Sequence, residues 1–295
     1  MRIVPIVNQK GGVGKTTVCR HLMKLLTESG YRVLAVDMDA QRNLDTYLGC
    51  DINYSDSETL SMYHVLRQET SIKNVIVHTE DGSGDIARAD NRMYSFTGKP
   101  MITYEEYLSF EGDTQGLLNH LQNRAQSISD NNTGERTILR RALEEIKDDY
   151  DYVLIDTNPD LGYLTTLSLL SGTEIYPLIP AFAEESSLQS LYALYDTIST
   201  LLLHDYRTNI KIVGVLISKY ERTNNEDMLL EDITSFSRDR GFPVFDTKLP
   251  KTIAVAEGMA TASDAFSRRK NSPLETAYRN FCAEFLNRMN VISNH

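Results

Sequence analysis

Short apolar runs alternate along this chain with longer stretches in which apolar residues recur at helical spacing, the patterns of buried strands and amphipathic helices. Residues 3–7 predict a strand. Residues 15–29 predict a helix with the stripe Val18, Leu22, Leu25 and Leu26, closed by Gly30. A second strand at 32–36 runs into Asp37-Met38-Asp39, and a later one at 152–155 runs into Asp156. Residues 174–179 read as a strand, and 184–204 as a helix carrying Leu188, Leu191, Tyr195, Ile198 and Leu202. The clearest strand is 210–217; a helix at 225–240, a short strand at 244–247 and a helix at 274–289 follow. Strands separated by helices predict an α/β fold: a doubly wound, mostly parallel sheet with helices on both faces. Ligands of such sheets bind beyond the carboxyl ends of the strands, where Asp39 and Asp156 fall. Pro5 is awkward within the first strand. It has no N–H for a ladder and ordinarily marks an edge or a bulge, so the strand rests on what the loop after it requires.

Residues 51–148 are less regular. Helices are expected at 60–67 and 137–146, but 79–134 is polar and punctuated by turn signals at Gly82-Ser83-Gly84, Gly98-Lys99-Pro100 and 130–134. A loop of that length is uncommon in a compact domain. The expectation is one domain over 1–295 with an insertion at about 79–134, and no internal repeat.

A hydrophobic share of 41% against 24% charged residues argues for a packed core rather than disorder. The net charge of −11 gives a polyanion no attraction from the whole-molecule field, so any DNA contact must come from a local basic patch. Cys19, Cys50 and Cys282 are widely spaced, with no CxxC pairing, and read as reduced thiols. Neither a secretory leader nor a membrane-spanning run is expected. The expectation is a soluble, cytoplasmic protein.

The chemistry concentrates at residues 8–17, Asn8-Gln9-Lys10-Gly11-Gly12-Val13-Gly14-Lys15-Thr16-Thr17. Glycines that open a strand into Gly-Lys-Thr let the backbone turn tightly and aim its N–H groups at phosphate oxygens. Lys15 is placed to reach β/γ-phosphates and the Thr16 hydroxyl to ligate Mg²⁺. The general phosphate-loop pattern has glycine where this chain has Gln9, and Lys10 is a second lysine ahead of the glycine pair. An aspartate that ends a strand is ordinarily a cap or turn former. Beside a phosphate loop, Asp39 and Asp156 instead read as carboxylates for the metal and the attacking water.

These motifs resemble the ParA/MinD group of deviant Walker A ATPases, and within it ParA-type partition ATPases that lack an N-terminal DNA-binding domain. The resemblance rests on residues 10–17, 37–43, 156–162 and the run 244–250 through Ala256-Glu257, and covers roughly 1–50 and 148–290. It implies a P-loop fold, ATP and Mg²⁺ as cofactors, and an ATP-sandwich homodimer in which Lys10 reaches the partner's phosphates. It implies that Gly11, Gly12, Val13, Gly14, Lys15, Thr16 and Thr17 hold the nucleotide, that Asp39 orients water, and that Thr16, Asp37, Asp39 and Asp156 serve the metal. Adenine would lie against 218–222 and 250–253, with Lys219, Arg222 and Pro250 beside it. Lys248, Lys251, Arg268, Arg269 and Lys270 would contact non-specific DNA in the ATP state. A centromere-binding partner would stimulate hydrolysis, and the ATP form would associate with the nucleoid. Departures from the family pattern are Ala40 for a proline, Arg42 for a glycine, Thr157-Asn158-Pro159-Asp160 in the second switch, and Ala254 where a cation is frequent.

Other classes fit less well. A membrane-switched ATPase would need a basic amphipathic tail, and 290–295 carries no lysine or arginine. An iron–sulfur reductase would need paired cysteines. The 16 tyrosines are dispersed, which argues against a tyrosine kinase on this loop, while a metabolic ligase on the same fold stays open. The main alternative is a nucleotide-switched scaffold with little hydrolysis and no DNA binding.

Overall fold

The computed structural model describes residues 1–50, 59–96, 136–203, 207–252 and 272–293. Strand β1 (Arg2–Ile6) lies inside a sheet, flanked on one side by β5 (Tyr152–Thr157) and on the other by β6 (Glu174–Ile175) and β7 (Leu178–Ala181). Beyond β5 come β2 (Val33–Met38), β4 (Asp85–Ala87) and β3 (Ile76–His78); beyond β6 and β7 come β8 (Asn209–Ile210) and β9 (Gly214–Ile217). Every pairing among these strands is parallel except β3 with β4. The expected doubly wound parallel sheet is therefore present.

Pro5 sits in the middle of this central strand, neither at an edge nor at a bulge. Its neighbours explain why that is tolerated. The Ile3 carbonyl accepts from the Tyr176 N–H, and the Val7 N–H donates to the Leu178 carbonyl. The N–H that Pro5 lacks would fall between these two bonds, where the facing strand is itself interrupted at Tyr176-Pro177. The missing donor thus coincides with a break in its partner, and 174–179 becomes two short strands.

Two further strand expectations change. Residues 210–217 split into β8 and β9 because the facing strand breaks and the register slips by one residue: Ile175 pairs with Ile210, but Leu178 pairs with the close-packed Gly214. A Cβ there would lie 2.6 Å from the Pro243 carbonyl and from an Arg288 guanidinium nitrogen. Residues 244–247 form a single bridge from Val244 to Val215 instead of a strand. Their backbone is taken up by side chains of the last helix: Glu284 accepts from the Asp246 and Thr247 N–H groups, and Arg288 donates to the Val244 carbonyl.

The two sheet faces bury alternate residues of each strand. Val4, Ile6, Tyr152 and Leu154 meet α1 (Lys15–Glu28) and α8 (Pro273–Ser293), where Leu22, Leu26, Phe281 and Phe285 are fully buried. Ile3, Val36, Val153 and Ile155 face the opposite layer. That layer draws on α3 (Met62–Leu66), α4 (Ile138–Glu144), α5 (Tyr163–Leu169), α6 (Glu185–Leu203) and α7 (Asn224–Asp239). Each fully buried large apolar side chain contributes about 1.5–3 kcal/mol, and both faces are required to hide β1. Helix α7 starts at Thr223, whose hydroxyl accepts from the Glu226 N–H while Glu226 accepts from the Thr223 N–H, a reciprocal cap.

The β3–β4 hairpin was not expected. It carries the start of the 79–134 segment into the sheet, with β4 parallel to β2. Its turn is fastened to α1: the buried Arg20 donates to Ser83 Oγ at 2.7 Å and pairs with Asp81, and Thr27 donates to the Ser83 carbonyl. Residues 97–134 lie outside the described residues.

Candidate nucleotide site

The chain leaves β1 at Val7 and enters a loop anchored from several directions. The buried Asn8 donates from Nδ2 to the Pro180 carbonyl at 2.8 Å, and its Oδ1 accepts from the Lys10 N–H. Gly12 and Gly14 have φ of 75° and 93°, a left-handed backbone that glycine adopts without strain. Gly14 caps α1, and its carbonyl accepts the Val18 N–H at 2.8 Å. The first N–H groups of α1 are thereby left facing the loop, the positive end of the helix dipole. Two side chains from the loop after β9 hold the outer carbonyls: Ser218 Oγ donates to Val13 at 2.7 Å and Lys219 Nζ to Gly12 at 3.0 Å.

Lys15 lies inside this cradle. It is buried, and its ammonium donates to the carbonyls of Asn8 (2.9 Å) and Lys10 (3.2 Å). Burial lowers its pKa, against the opposing pull of nearby Asp156, Asp39 and Asp160. Phosphate oxygens are stronger acceptors than these carbonyls, so the side chain is placed to exchange one set for the other.

Three aspartates stand at neighbouring strand ends. Asp37 and Asp156 are partners in the β2–β5 register and both are fully buried. Asp37 Oδ1 accepts the Asp39 N–H and Asp39 Oδ1 the Gln41 N–H, each at 2.9 Å. Asp37 Oδ2 and both oxygens of Asp156 make no hydrogen bond of ordinary geometry. Burial, reinforced by the Asp156 carboxylate, holds Asp37 well above the usual carboxylate range, and burial also raises Asp39. Asp156 is pushed up to about 7 by burial, although Thr16 and Lys15 pull the other way. Buried carboxylate oxygens this poorly supplied with donors call for an occupant. No cluster of three metal-ligating side chains exists among the described residues. A Mg²⁺ held by Thr16, phosphate oxygens and water-bridged carboxylates fits this donor set, because that ion keeps waters and uses few protein ligands.

Lys10 differs from Lys15. Its ammonium turns away from the cradle, donating to Ser186 Oγ at 2.6 Å, pairing with Glu184 and lying 5.5 Å from the Phe182 ring centre. The residues expected beside adenine are brought together in part. The Tyr220 N–H donates to the Leu249 carbonyl and Tyr220 bridges Pro250, so 218–222 and 249–251 run side by side, joined to the loop through Lys219. Lys219 and Arg222 both have left-handed backbones, and Arg222 is exposed. Lys248 donates to the Asp246 carbonyl, and Lys251 is paired with Glu221 at 2.8 Å. Arg268, Arg269 and Lys270 lie outside the described residues, as do Ile253, Ala254, Ala256 and Glu257.

Arg42, one of the departures, is accounted for. It sits at φ 58° before α2 (Asn43–Tyr47), the conformation a glycine would favour there, and its guanidinium forms a buried ion pair with Asp45 at 2.6 Å. A cleft of about 280 Å³ adjoins the carboxylates, between Asp39–Gln41, Asn158–Asp160 and the apolar Met93, Phe96 and Tyr163. Asn8 and Ser218 fell within the loop motif and the segment expected beside adenine but had no role assigned to them, and Phe182 lay outside both. Their roles follow from the crossing of β1, β7 and β9, which sequence spacing does not reveal.

A glycine-bent loop at the centre of a parallel sheet, with a buried lysine and unpaired carboxylates at adjoining strand ends, defines a P-loop nucleotide-binding domain. The family model described as the CobQ/CobB/MinD/ParA nucleotide binding domain matches residues 4–264, and the chain belongs to that family. It is 30% identical over 257 residues to the sporulation initiation inhibitor protein Soj of Bacillus subtilis, covering 87% of each chain. It is 30% identical over 261 residues to the chromosome partitioning protein ParA of Caulobacter vibrioides, covering 87% of this chain and 83% of that one. Among solved structures it resembles cobyrinic acid a,c-diamide synthase of Mycobacterium smegmatis with bound ADP and magnesium. The TM-score there is 0.72 at 26% identity, over 100% of this chain and 97% of the other. Among the described residues no helix is long and apolar enough to cross a membrane.

Proposed function

We propose that this chain is a partition-type ATPase: ATP joins two copies face to face, the pair binds DNA without sequence preference, and hydrolysis separates them. The observation that carries the reading is the division between two lysines of one loop. Lys15 occupies its own cradle, whereas Lys10 turns away from it and is held at the rim, where a nucleotide bound by a second copy would compete for it. In this reading the loop N–H groups from Gly11 to Thr17 and the Lys15 ammonium bind the β- and γ-phosphates. Thr16 and Asp156, with Asp37 behind them, hold the Mg²⁺, which neutralises phosphate charge when bound. Asp39 accepts a hydrogen bond from the attacking water and orients it. The water oxygen bonds to the γ-phosphorus as the bridging P–O bond breaks, leaving ADP and phosphate, and Lys10 of the second copy stabilises the departing charge.

DNA binding would use Lys248, Lys251 and residues 268–270, doubled by dimerisation so that modest patches act together. The nucleoid is then the site of the ATP form, and a centromere-binding protein is the partner that accelerates turnover. The kinship with Soj and ParA supports this assignment. A second reading, a nucleotide-switched scaffold with slow turnover and no DNA binding, is favoured by the net charge and by the neutralisation of Lys251 by Glu221. One experiment separates them: light-scattering mass and retention on random duplex, with ATP against ADP, across a salt series. Dimerisation and salt-sensitive DNA retention with ATP alone support the partition reading. Dimerisation without retention supports the scaffold, and a monomer throughout retires both.

A further inference from the structure

Lys10 does not wait in solvent. Among the described residues, every partner of its ammonium belongs to one short segment, Phe182–Ser186, which joins β7 to the first turn of α6. Glu184 pairs with Nζ, Ser186 Oγ accepts from it at 2.6 Å, and Ser186 donates in turn to Glu184 Oε1 at 2.7 Å. The Phe182 ring lies beneath, between Lys10 at 5.5 Å and Lys219 at 4.9 Å. The Lys10 backbone is pinned as well, its N–H held by Asn8. The ammonium is thus satisfied within its own subunit, by a carboxylate, a hydroxyl and a ring face.

We infer that Glu184 and Ser186 form an autoinhibitory latch that holds Lys10 against its own subunit and sets the threshold at which ATP joins two copies. The inference rests on the proposed sandwich dimer and concerns the regulation of that same contact. For Lys10 to reach a second copy's γ-phosphate, its bonds to Glu184 and Ser186 must break. The nucleotide and the carboxylate therefore compete for one cation. A nucleoside diphosphate, lacking the γ-phosphate, offers a weaker competitor and leaves the latch closed.

The magnitude follows from exposure. The side chains of Lys10 and Glu184 are 27% and 42% exposed, so the pair belongs with surface ion pairs, each worth roughly a two- to fivefold change in equilibrium. A symmetric dimer must open two latches. The effect on the dimerisation constant is then the square, roughly four- to twenty-five-fold. This is small enough for ATP to overcome and large enough to measure.

The test compares wild type, Glu184→Gln, Ser186→Ala and Lys10→Ala by sedimentation over a protein concentration series with a non-hydrolysable ATP analogue, with thermal unfolding run alongside. The latch predicts that Glu184→Gln dimerises at roughly four- to twenty-five-fold lower concentration than wild type, that Ser186→Ala shifts the same way by less, and that Lys10→Ala does not dimerise. If wild type dimerises and Lys10→Ala does not, while Glu184→Gln leaves the midpoint unchanged, the latch is wrong and the sandwich stands. A Glu184→Gln protein that dimerises more weakly would mean that Glu184 is itself a contact between copies, and would also overturn it. Wild type that stays monomeric removes the sandwich and the latch together.

Discussion

Ser218 Oγ donates a 2.7 Å hydrogen bond to the carbonyl of Val13, joining residues 205 positions apart. With the Lys219–Gly12 bond beside it, this contact sets the direction of the loop carbonyls and therefore of the N–H groups that face phosphate. Recognition of the phosphates and the position of the 218–222 loop are mechanically one unit.

Ser218→Ala leaves the Val13 carbonyl without its buried donor. The expected cost is about 1–3 kcal/mol of stability, with nucleotide affinity lowered roughly tenfold. Urea unfolding and titration with a fluorescent ATP analogue read the two effects separately. Unchanged affinity in a folded variant would show that the loop keeps its shape without this anchor.

Lys15→Met is expected to weaken ATP binding by roughly a hundredfold, the loss of charged hydrogen bonds to phosphate. It also removes a cation that favours ionised Asp156 and Asp39. The nucleotide-free variant should therefore lose stability more steeply than wild type as pH rises. Calorimetric titration and denaturation at several pH values check both.

Asp156 gives a pH signature of defined sign. Its pKa is near 4 when unfolded and about 7 in the fold, so between those values the native state binds more protons than the unfolded one. Stability from this group is complete below about pH 4 and is lost as pH rises towards 7, with a slope of up to about 1.4 kcal/mol per unit. Asp156→Asn abolishes that slope. In nucleotide-free protein the difference in stability between variant and wild type should move in favour of the asparagine from pH 5 to pH 8. A difference that stays flat across that range would contradict the assignment.

The Arg42–Asp45 pair is buried on both sides. Asp45→Ala takes the carboxylate from a buried guanidinium and is expected to cost about 3–5 kcal/mol. Arg42→Gly keeps the left-handed turn without strain, so adding it to Asp45→Ala should recover part of the loss. A double-mutant cycle in urea measures the coupling; additive effects would mean that the pair contributes nothing beyond its separate side chains.

The phosphate loop and the strands that run into Asp39 and Asp156 were legible from residue types at strand ends, whereas Asp37 entered only with the family resemblance. Helices α1, α6, α7 and α8 were legible from their apolar stripes. What escaped was decided by distant partners. Residues 210–217 read as one strand, yet the strand they pair with breaks between β6 and β7 and the register gains a residue there. Residues 244–247 have strand composition, yet Glu284 and Arg288 claim their backbone groups. The β3–β4 hairpin is too short to announce itself and is held by Arg20, a polar residue on a helix that otherwise reads as amphipathic. Pro5 looked like an objection to the central strand and proved compatible, because the facing strand breaks at the same level.

The position of β1 has a consequence for synthesis. The strand and the loop it feeds precede their partners in the chain: the ladder on one side of β1 begins at Tyr152 and on the other at Glu174, and the loop's outer anchors arrive with Ser218 and Lys219. Until β5 has left the ribosome, β1 has no strand to pair with, and the loop's outer anchors follow only with Ser218 and Lys219. The loop precedes its Ser218 anchor by 205 positions, so a fragment that stops short of Ser218 holds the loop without its outer anchors.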